Sequence, residues 1–237
     1  PLATEAGYAV LEVGGSAADA AVAVQTVLAL VEPQSSGLGG GAFLLYWDAE
    51  AGALTTYDAR EKAPLAADGD YWLNDAGEPR EFMDAVVGGR SAGVPGTPRL
   101  MEVLHSDHGS MEFSELLQPA IETADQGFSV TQRLADAVAA AQGLDTFVTT
   151  AEYFLPGGTP IAEGSTLQNP AYAETLRIFA AEGADPFYTG AIAEEILAAL
   201  NTNINPSILT PEDFAAYEVV TREPVCSDYR GYEVCGM

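Results

Sequence analysis

Arg60 stands in the run YDAREKAP, residues 57–64, just past the end of LTTYD, residues 54–58, a stretch that reads as a β-strand. Strand ends are where folds present ligand-contacting groups, and a guanidinium fork matches a carboxylate through two parallel hydrogen bonds. Taken alone, an arginine beside Glu61 and Lys62 is more often a surface ion pair. A second candidate is SGLGGGAFLLYWD, residues 36–48, with four glycines among residues 37–41. A phosphate cradle needs Lys-Ser or Lys-Thr after its glycines, yet Phe43 and Leu44 stand there; a dinucleotide fingerprint opens a helix, and this loop opens a strand. Both phosphate readings fail, leaving close packing of helix on sheet. His105 and His108, with Asp107 between them, could loosely hold a metal, but no third ligand is evident. Solvent-facing histidines at a helix end are expected instead.

Cys226 and Cys235 are the only cysteines. CSDYRGYEVC reads as a hairpin turning at Arg230-Gly231, which sets the two cysteines opposite each other in a non-hydrogen-bonded pair. That spacing falls just inside the range a disulfide accepts. A bridge and two free thiols both stay open, the thiols weighed ahead. The same register opposes Asp228 to Glu233, a mildly unfavourable pair. Zinc lacks the paired histidine that would complete a tetrahedral site.

These groups need a scaffold, and 237 residues with 48% hydrophobic content can bury a sizeable core. The charge balance is lopsided: 35 acidic residues against 9 basic, a formal net charge of −26. Such a surface repels nucleic acid and anionic lipid, which need clustered Lys and Arg. It suits solubility in a salty medium, where screening tolerates self-repulsion. The most apolar stretch, residues 17–31, is too short for a membrane span of roughly 20 residues. No membrane insertion is expected, and this stretch reads as a buried helix.

Thr4 and Ser16 are candidate caps for two helices running to about Val13 and Leu30; Ser16 with Asp19 forms a near capping box. AFLLYW, residues 42–47, is continuously apolar, which predicts a strand covered on both faces. Residues 71–80 read as a surface excursion, 85–94 as another strand. Three helical stretches follow between Arg99 and Gln142, with Ser114 and Ser129 as caps. After an irregular stretch, helices return over 171–181 and 189–200, and PEDFAAYEVV, residues 211–220, reads as a short acidic helix before the hairpin. Strands followed by many helices point to an α+β or layered arrangement.

GGSAADAAVAVQTVLALVEPQSSGLGGGAFLLYWD followed by YDAREKAP resembles the start of the large subunit of the γ-glutamyltranspeptidase family. GVPGTPRLMEVL (93–104), FYTGAIAEEI (187–196), LTPEDFAAYEVV (209–220) and EPVCSDYRGYEV (223–234) match in the family's order. The resemblance covers nearly the whole chain. Departures are small: Ser16 replaces a usual asparagine, and Ser207 a frequent glycine. The family implies an α+β N-terminal-nucleophile hydrolase fold, an αββα sandwich of which residues 1–237 would be a single incomplete domain. It implies a precursor that cleaves itself and frees a threonine at the start of the small subunit. That threonine attacks the γ-glutamyl amide of glutathione or a related compound and passes the acyl group to water, an amino acid or a peptide. Its own α-amino group serves as base, and amide donors stabilise the oxyanion.

Carried over, Arg60 matches the arginine that grips the substrate's α-carboxylate. No catalytic residue, metal or cofactor is expected within these residues. The family's threonine followed by Thr-His-x-Ser is absent; Thr149-Thr150 is followed by Ala151-Glu152 instead of histidine. The chain is expected to lack activity alone, to be continued beyond Met237 and preceded by further residues, and to work in the periplasm or outside the cell with its small subunit. Sibling readings are an acylase for glutaryl β-lactams, a polyglutamate-processing enzyme, and a non-catalytic lobe. A nucleotide-binding protein is the weakest.

Overall fold

A computed structural model describes residues 1–237. In chain order it contains α1 (Leu2–Glu12), α2 (Ala17–Val31), β1 (Ala42–Asp48), β2 (Ala53–Ala59), α3 (Phe82–Val86), α4 (Thr97–His108), α5 (Phe113–Gln126) and β3 (Phe128–Ser129). Then come α6 (Gln132–Ala140), α7 (Val148–Phe154), β4 (Thr166–Leu167), α8 (Pro170–Glu182), α9 (Pro186–Thr189), α10 (Ala191–Leu200), α11 (Pro211–Ala215), β5 (Val220–Arg222), β6 (Val225–Tyr229) and β7 (Tyr232–Gly236). The elements gather into two compact units, Pro1–Gly37 with Leu104–Gly183, and Leu38–Val103 with Ala184–Met237.

The first unit is helical and built on α2. Ser16 and Asp19 form the capping box the sequence suggested: the Asp19 N–H donates to Ser16 Oγ at 3.1 Å, and the Ser16 N–H to Asp19 Oδ2 at 2.8 Å. The helix is apolar nearly all round, and Val22, Ala23 and Val27 are buried with it. Thr26 is tolerated there because its hydroxyl donates to the carbonyls of Val22 and Ala23. Phe179 of α8 and Phe113 of α5 meet edge to face, 4.9 Å between centroids.

Several cap assignments need correction. Thr4 lies inside α1, which starts at Leu2 behind Pro1. Ser114 falls in the first turn of α5, behind Glu112 at the N-cap position, whose side chain makes no capping hydrogen bond. Ser129 is spent in the β3–β4 pairing, and Thr131 caps α6 by accepting from the Leu134 N–H. Asn169 caps α8 through the Tyr172 N–H.

The second unit holds the antiparallel sheet β1-β2-β5. Its inner face packs Ala42, Leu44 and Tyr46 around Tyr57, Ala59 and Leu100. The expectation that β1 is covered on both faces is not met within residues 1–237, where Phe43, Leu45 and Trp47 are exposed. The strand expected over 85–94 is also absent; α3 and a 3₁₀ turn at Gly89–Ser91 occupy it. Backbone groups there find partners outside a ladder: Asn205 Nδ2 donates to the Asp84 and Val87 carbonyls, and the Arg90 N–H donates to the Asn205 carbonyl. Only Val94 pairs, with Lys62. The acidic helix ends at Ala215, because Val220 is drawn into β5 opposite Asp58.

The closing hairpin turns at Arg230-Gly231, with φ of 55° and 79°. Cys226 pairs with Cys235 and Asp228 with Glu233, as the register required. The thiols are not free: a disulfide joins Cys226 and Cys235, with Cα atoms 4.1 Å apart. The hairpin register places the two cysteines directly opposite each other, which brings their sulfurs within reach of a bond. Alkylation under denaturing conditions is expected to label neither cysteine before reduction and both after it. Closing so short a loop contributes on the order of 2–3 kcal/mol, so reduction should lower the denaturation midpoint. Labelling without reduction would contradict the bridge.

Candidate substrate site

Pairing runs from Ala42↔Ala59 to Asp48↔Ala53, with Asp58 opposite Phe43. Alternate residues share a face, so Arg60 continues the exposed face of Phe43 and Asp58 one step past the ladder. Its guanidinium carbon lies 5.9 Å from the Phe43 ring centroid. Its side chain is 57% exposed and meets Glu61 Oε2 at 3.4 Å. That contact is an ion pair without hydrogen-bond alignment, since Glu61 Oε2 has no hydrogen-bond partner. The fork thus retains donors for a ligand.

Arg60 opens onto a pocket of about 650 Å³ whose walls include Lys62, Tyr71 and Arg90 together with two acidic residues, Glu61 and Asp68. Three of the chain's nine basic residues therefore line one pocket in a strongly acidic molecule. Arg90 donates through Nη1 to the Tyr71 carbonyl at 2.6 Å and stacks 4.9 Å from its ring centroid, while the Tyr71 hydroxyl donates to the Arg90 carbonyl at 2.8 Å. Arg90 Nε has no hydrogen-bond partner. Burial pushes the Tyr71 hydroxyl above its usual range against the pull of Arg90. Burial also pushes the Asp58 carboxyl up, but the hydrogen bonds from Arg222 Nε at 2.6 Å and the Arg60 N–H at 3.1 Å outweigh it and hold it low. Asp58 is therefore ionised at neutral pH and fixes the Arg60 N–H. A guanidinium fork with unused donors, in a pocket where three basic residues face two acidic ones, suits a small carboxylate ligand.

The family model described as Gamma-glutamyltranspeptidase matches residues 3–237. The chain belongs to the γ-glutamyltranspeptidase family. It is 36% identical over 234 residues to the "Glutathione hydrolase proenzyme" of Bacillus subtilis (strain 168), covering 99% of this chain and 40% of that protein. Among solved structures it resembles the γ-glutamyltranspeptidase of Helicobacter pylori, with a TM-score of 0.93 and 36% identity, over 100% of this chain and 67% of that one. It also resembles a cephalosporin acylase from Bacillus halodurans, with a TM-score of 0.86 and 32% identity, over 99% of this chain and 44% of that one. The fold is thus the N-terminal-nucleophile hydrolase fold of the γ-glutamyltranspeptidases, of which the chain carries part.

Other candidate residues fall elsewhere. Thr149 and Thr150 sit in the first turn of α7, in the helical unit. His105 does not face solvent as expected: Nε2 is 2.7 Å from the Met111 carbonyl, and its ring tilts against Phe113 at 5.1 Å. The carbonyl can only accept, so Nε2 carries the proton. Cys226, Cys235 and Glu233 lie close together, but the disulfide occupies both sulfurs. Arg90 and Tyr71 carry no motif in the sequence, and Arg90 falls within the run read as a strand. No helix is long and apolar enough to cross a membrane.

Proposed function

We propose that this chain supplies the carboxylate-binding part of an enzyme that transfers or hydrolyses the γ-glutamyl group of glutathione and related amides. The observation that carries this reading is Arg60 just past the end of β2, its fork unsaturated and open to a pocket it shares with Lys62 and Arg90, in a chain of the γ-glutamyltranspeptidase family. Arg60 would hold the donor's α-carboxylate. The reacting threonine is not among these residues, since no Thr-His-x-Ser occurs in the sequence; it would come from the remainder of the protein. Its hydroxyl adds to the γ-carbonyl while its α-amino group takes the proton. The amine leaves with a proton, and water or an amine acceptor then releases the acyl group.

The curated Bacillus subtilis relative is named a proenzyme, which supports processing of a common precursor into two subunits. Action in the periplasm or outside the cell belongs to the same reading, and a disulfide is at home in an oxidising compartment. Likeness to a cephalosporin acylase keeps glutaryl amides as a second donor class.

The test is the denatured intact mass of the full-length gene product, together with turnover of a chromogenic γ-glutamyl amide. Two masses, an N-terminal threonine on the lighter one and turnover are expected. One uncut mass without turnover would replace this reading with a non-catalytic lobe.

A further inference from the structure

Arg60 lies beyond the last ladder pair, so strand pairing does not fix its backbone. Its side chain, largely exposed, is not fixed by packing either. Neighbouring groups hold the backbone instead. Tyr217 is buried, 4% exposed, and its hydroxyl donates to the Arg60 carbonyl at 3.1 Å. The Tyr217 ring stacks on Tyr188, 5.3 Å between centroids and 19° between planes. Tyr188 in turn donates to the Pro95 carbonyl at 2.8 Å and accepts the Arg99 N–H at 3.2 Å. Lys62 Nζ stands 5.1 Å from the Tyr217 ring centroid.

Two glycines let this clamp close. A Cβ on Gly96 would lie 2.0 Å from the Ala59 carbonyl oxygen and 2.2 Å from the Tyr217 hydroxyl. A Cβ on Gly41 would lie 2.5 Å from the Ala59 carbonyl oxygen and 2.9 Å from Arg60 Cα. The N–H groups of Gly96 and Thr97 both donate to the Gly40 carbonyl, at 2.8 and 3.1 Å. The glycine loop therefore grips the peptide that carries Arg60 from one side, and Gly96 with Tyr217 grips it from another.

We propose that Tyr217 is a positioning residue for the donor's α-carboxylate, acting through the backbone carbonyl of Arg60. The inference rests on the reading of Arg60 given above. A bidentate contact depends on both distance and plane, and small misplacements at such a contact cost far more than they cost in a surface ion pair. The hydroxyl is a dependable donor: burial, with Asp58 and Glu61 adding to it, pushes the Tyr217 pKa up to about 12. Phenylalanine keeps the stacked ring and removes only the bond to Arg60.

The experiment uses the full-length, processed protein and γ-glutamyl-p-nitroanilide as donor. Tyr217→Phe is expected to raise KM about 5- to 20-fold, the scale of one hydrogen bond, with kcat within about twofold. In an Arg60→Ala background the same change should lower kcat/KM no further, because the group it positions is gone. An unchanged KM in Tyr217→Phe, an equal loss in both backgrounds, or a fall in kcat alone would overturn the proposal. A donor with its α-carboxylate converted to an amide gives an independent readout: Tyr217→Phe should leave its kcat/KM nearly unchanged, whereas general loosening of the fold lowers both donors equally. Arg60→Ala alone separates the two failures. If it leaves KM unchanged, the assignment of Arg60 itself is wrong, and the role of Tyr217 falls with it.

Discussion

Replacing Arg60 with alanine in the full-length protein is expected to raise the KM for γ-glutamyl donors roughly 30-fold to several thousandfold, the equivalent of about 2–5 kcal/mol for a truncated charge contact. Stability should hardly change. The side chain is 57% exposed, and its one ion pair, with Glu61, lacks hydrogen-bond alignment; such pairs contribute about 0–1 kcal/mol. That contrast makes the result interpretable, since loss of binding without loss of fold assigns the residue to the ligand. Arg60→Lys should recover only part of the loss, because an ammonium keeps the charge but not the planar fork. Steady-state kinetics with thermal melts of the same samples would check both statements. Unchanged kinetics in Arg60→Ala would return Arg60 to the surface ion pair that its sequence context alone favours.

The position of Arg60 was legible because it depends on short-range facts. LTTYD, rich in threonine and tyrosine, reads as a strand, the strand ends at Ala59, and the next residue stands at the sheet's rim. The capping box at Ser16 and Asp19 and the hairpin turn at Arg230-Gly231 were legible for the same reason. Failures came where distant residues decide. Nothing in VVGGRSAGV shows that Asn205, more than a hundred residues on, takes its backbone groups and leaves no ladder to form. The apolar run of β1 could not disclose that Phe43, Leu45 and Trp47 are exposed within residues 1–237. Tyr217 was hidden because the run around it reads as helix, although the helix ends at Ala215 and frees Tyr217 to reach the Arg60 carbonyl.

Asp19→Ala is expected to destabilise the helical unit by about 3–4 kcal/mol at neutral pH. Asp19 is fully buried, yet it is well satisfied. Oδ2 accepts from the Ser16 N–H at 2.8 Å and from Ser110 Oγ at 2.7 Å, and the Ser110 N–H donates to both carboxylate oxygens at 3.1 Å. His105 Nε2 lies 3.9 Å from Oδ1. One carboxylate thus caps α2, where the helix dipole favours negative charge, and also ties down the segment after α4. Truncation removes the cap partner, worth about 1 kcal/mol, and strands buried donors at about 1–3 kcal/mol each, partly relieved by water. Asp19→Asn keeps an acceptor and should cost about half as much. The pH dependence follows from the same bonds. Burial pushes the carboxyl up, but the hydrogen bonds from Ser110 and Ser16 outweigh it and hold its pKa below the usual value. The folded chain therefore binds this proton less readily than the unfolded chain, and stability falls as acid supplies it. The contribution is fully present above the unfolded pKa of about 4 and is lost as pH drops through the lower folded value. The gap between wild type and Asp19→Ala in denaturant midpoint should accordingly be widest at pH 7 and shrink as pH falls below about 4. A gap that stayed constant over that range would mean that the hydrogen bonds act without the charge.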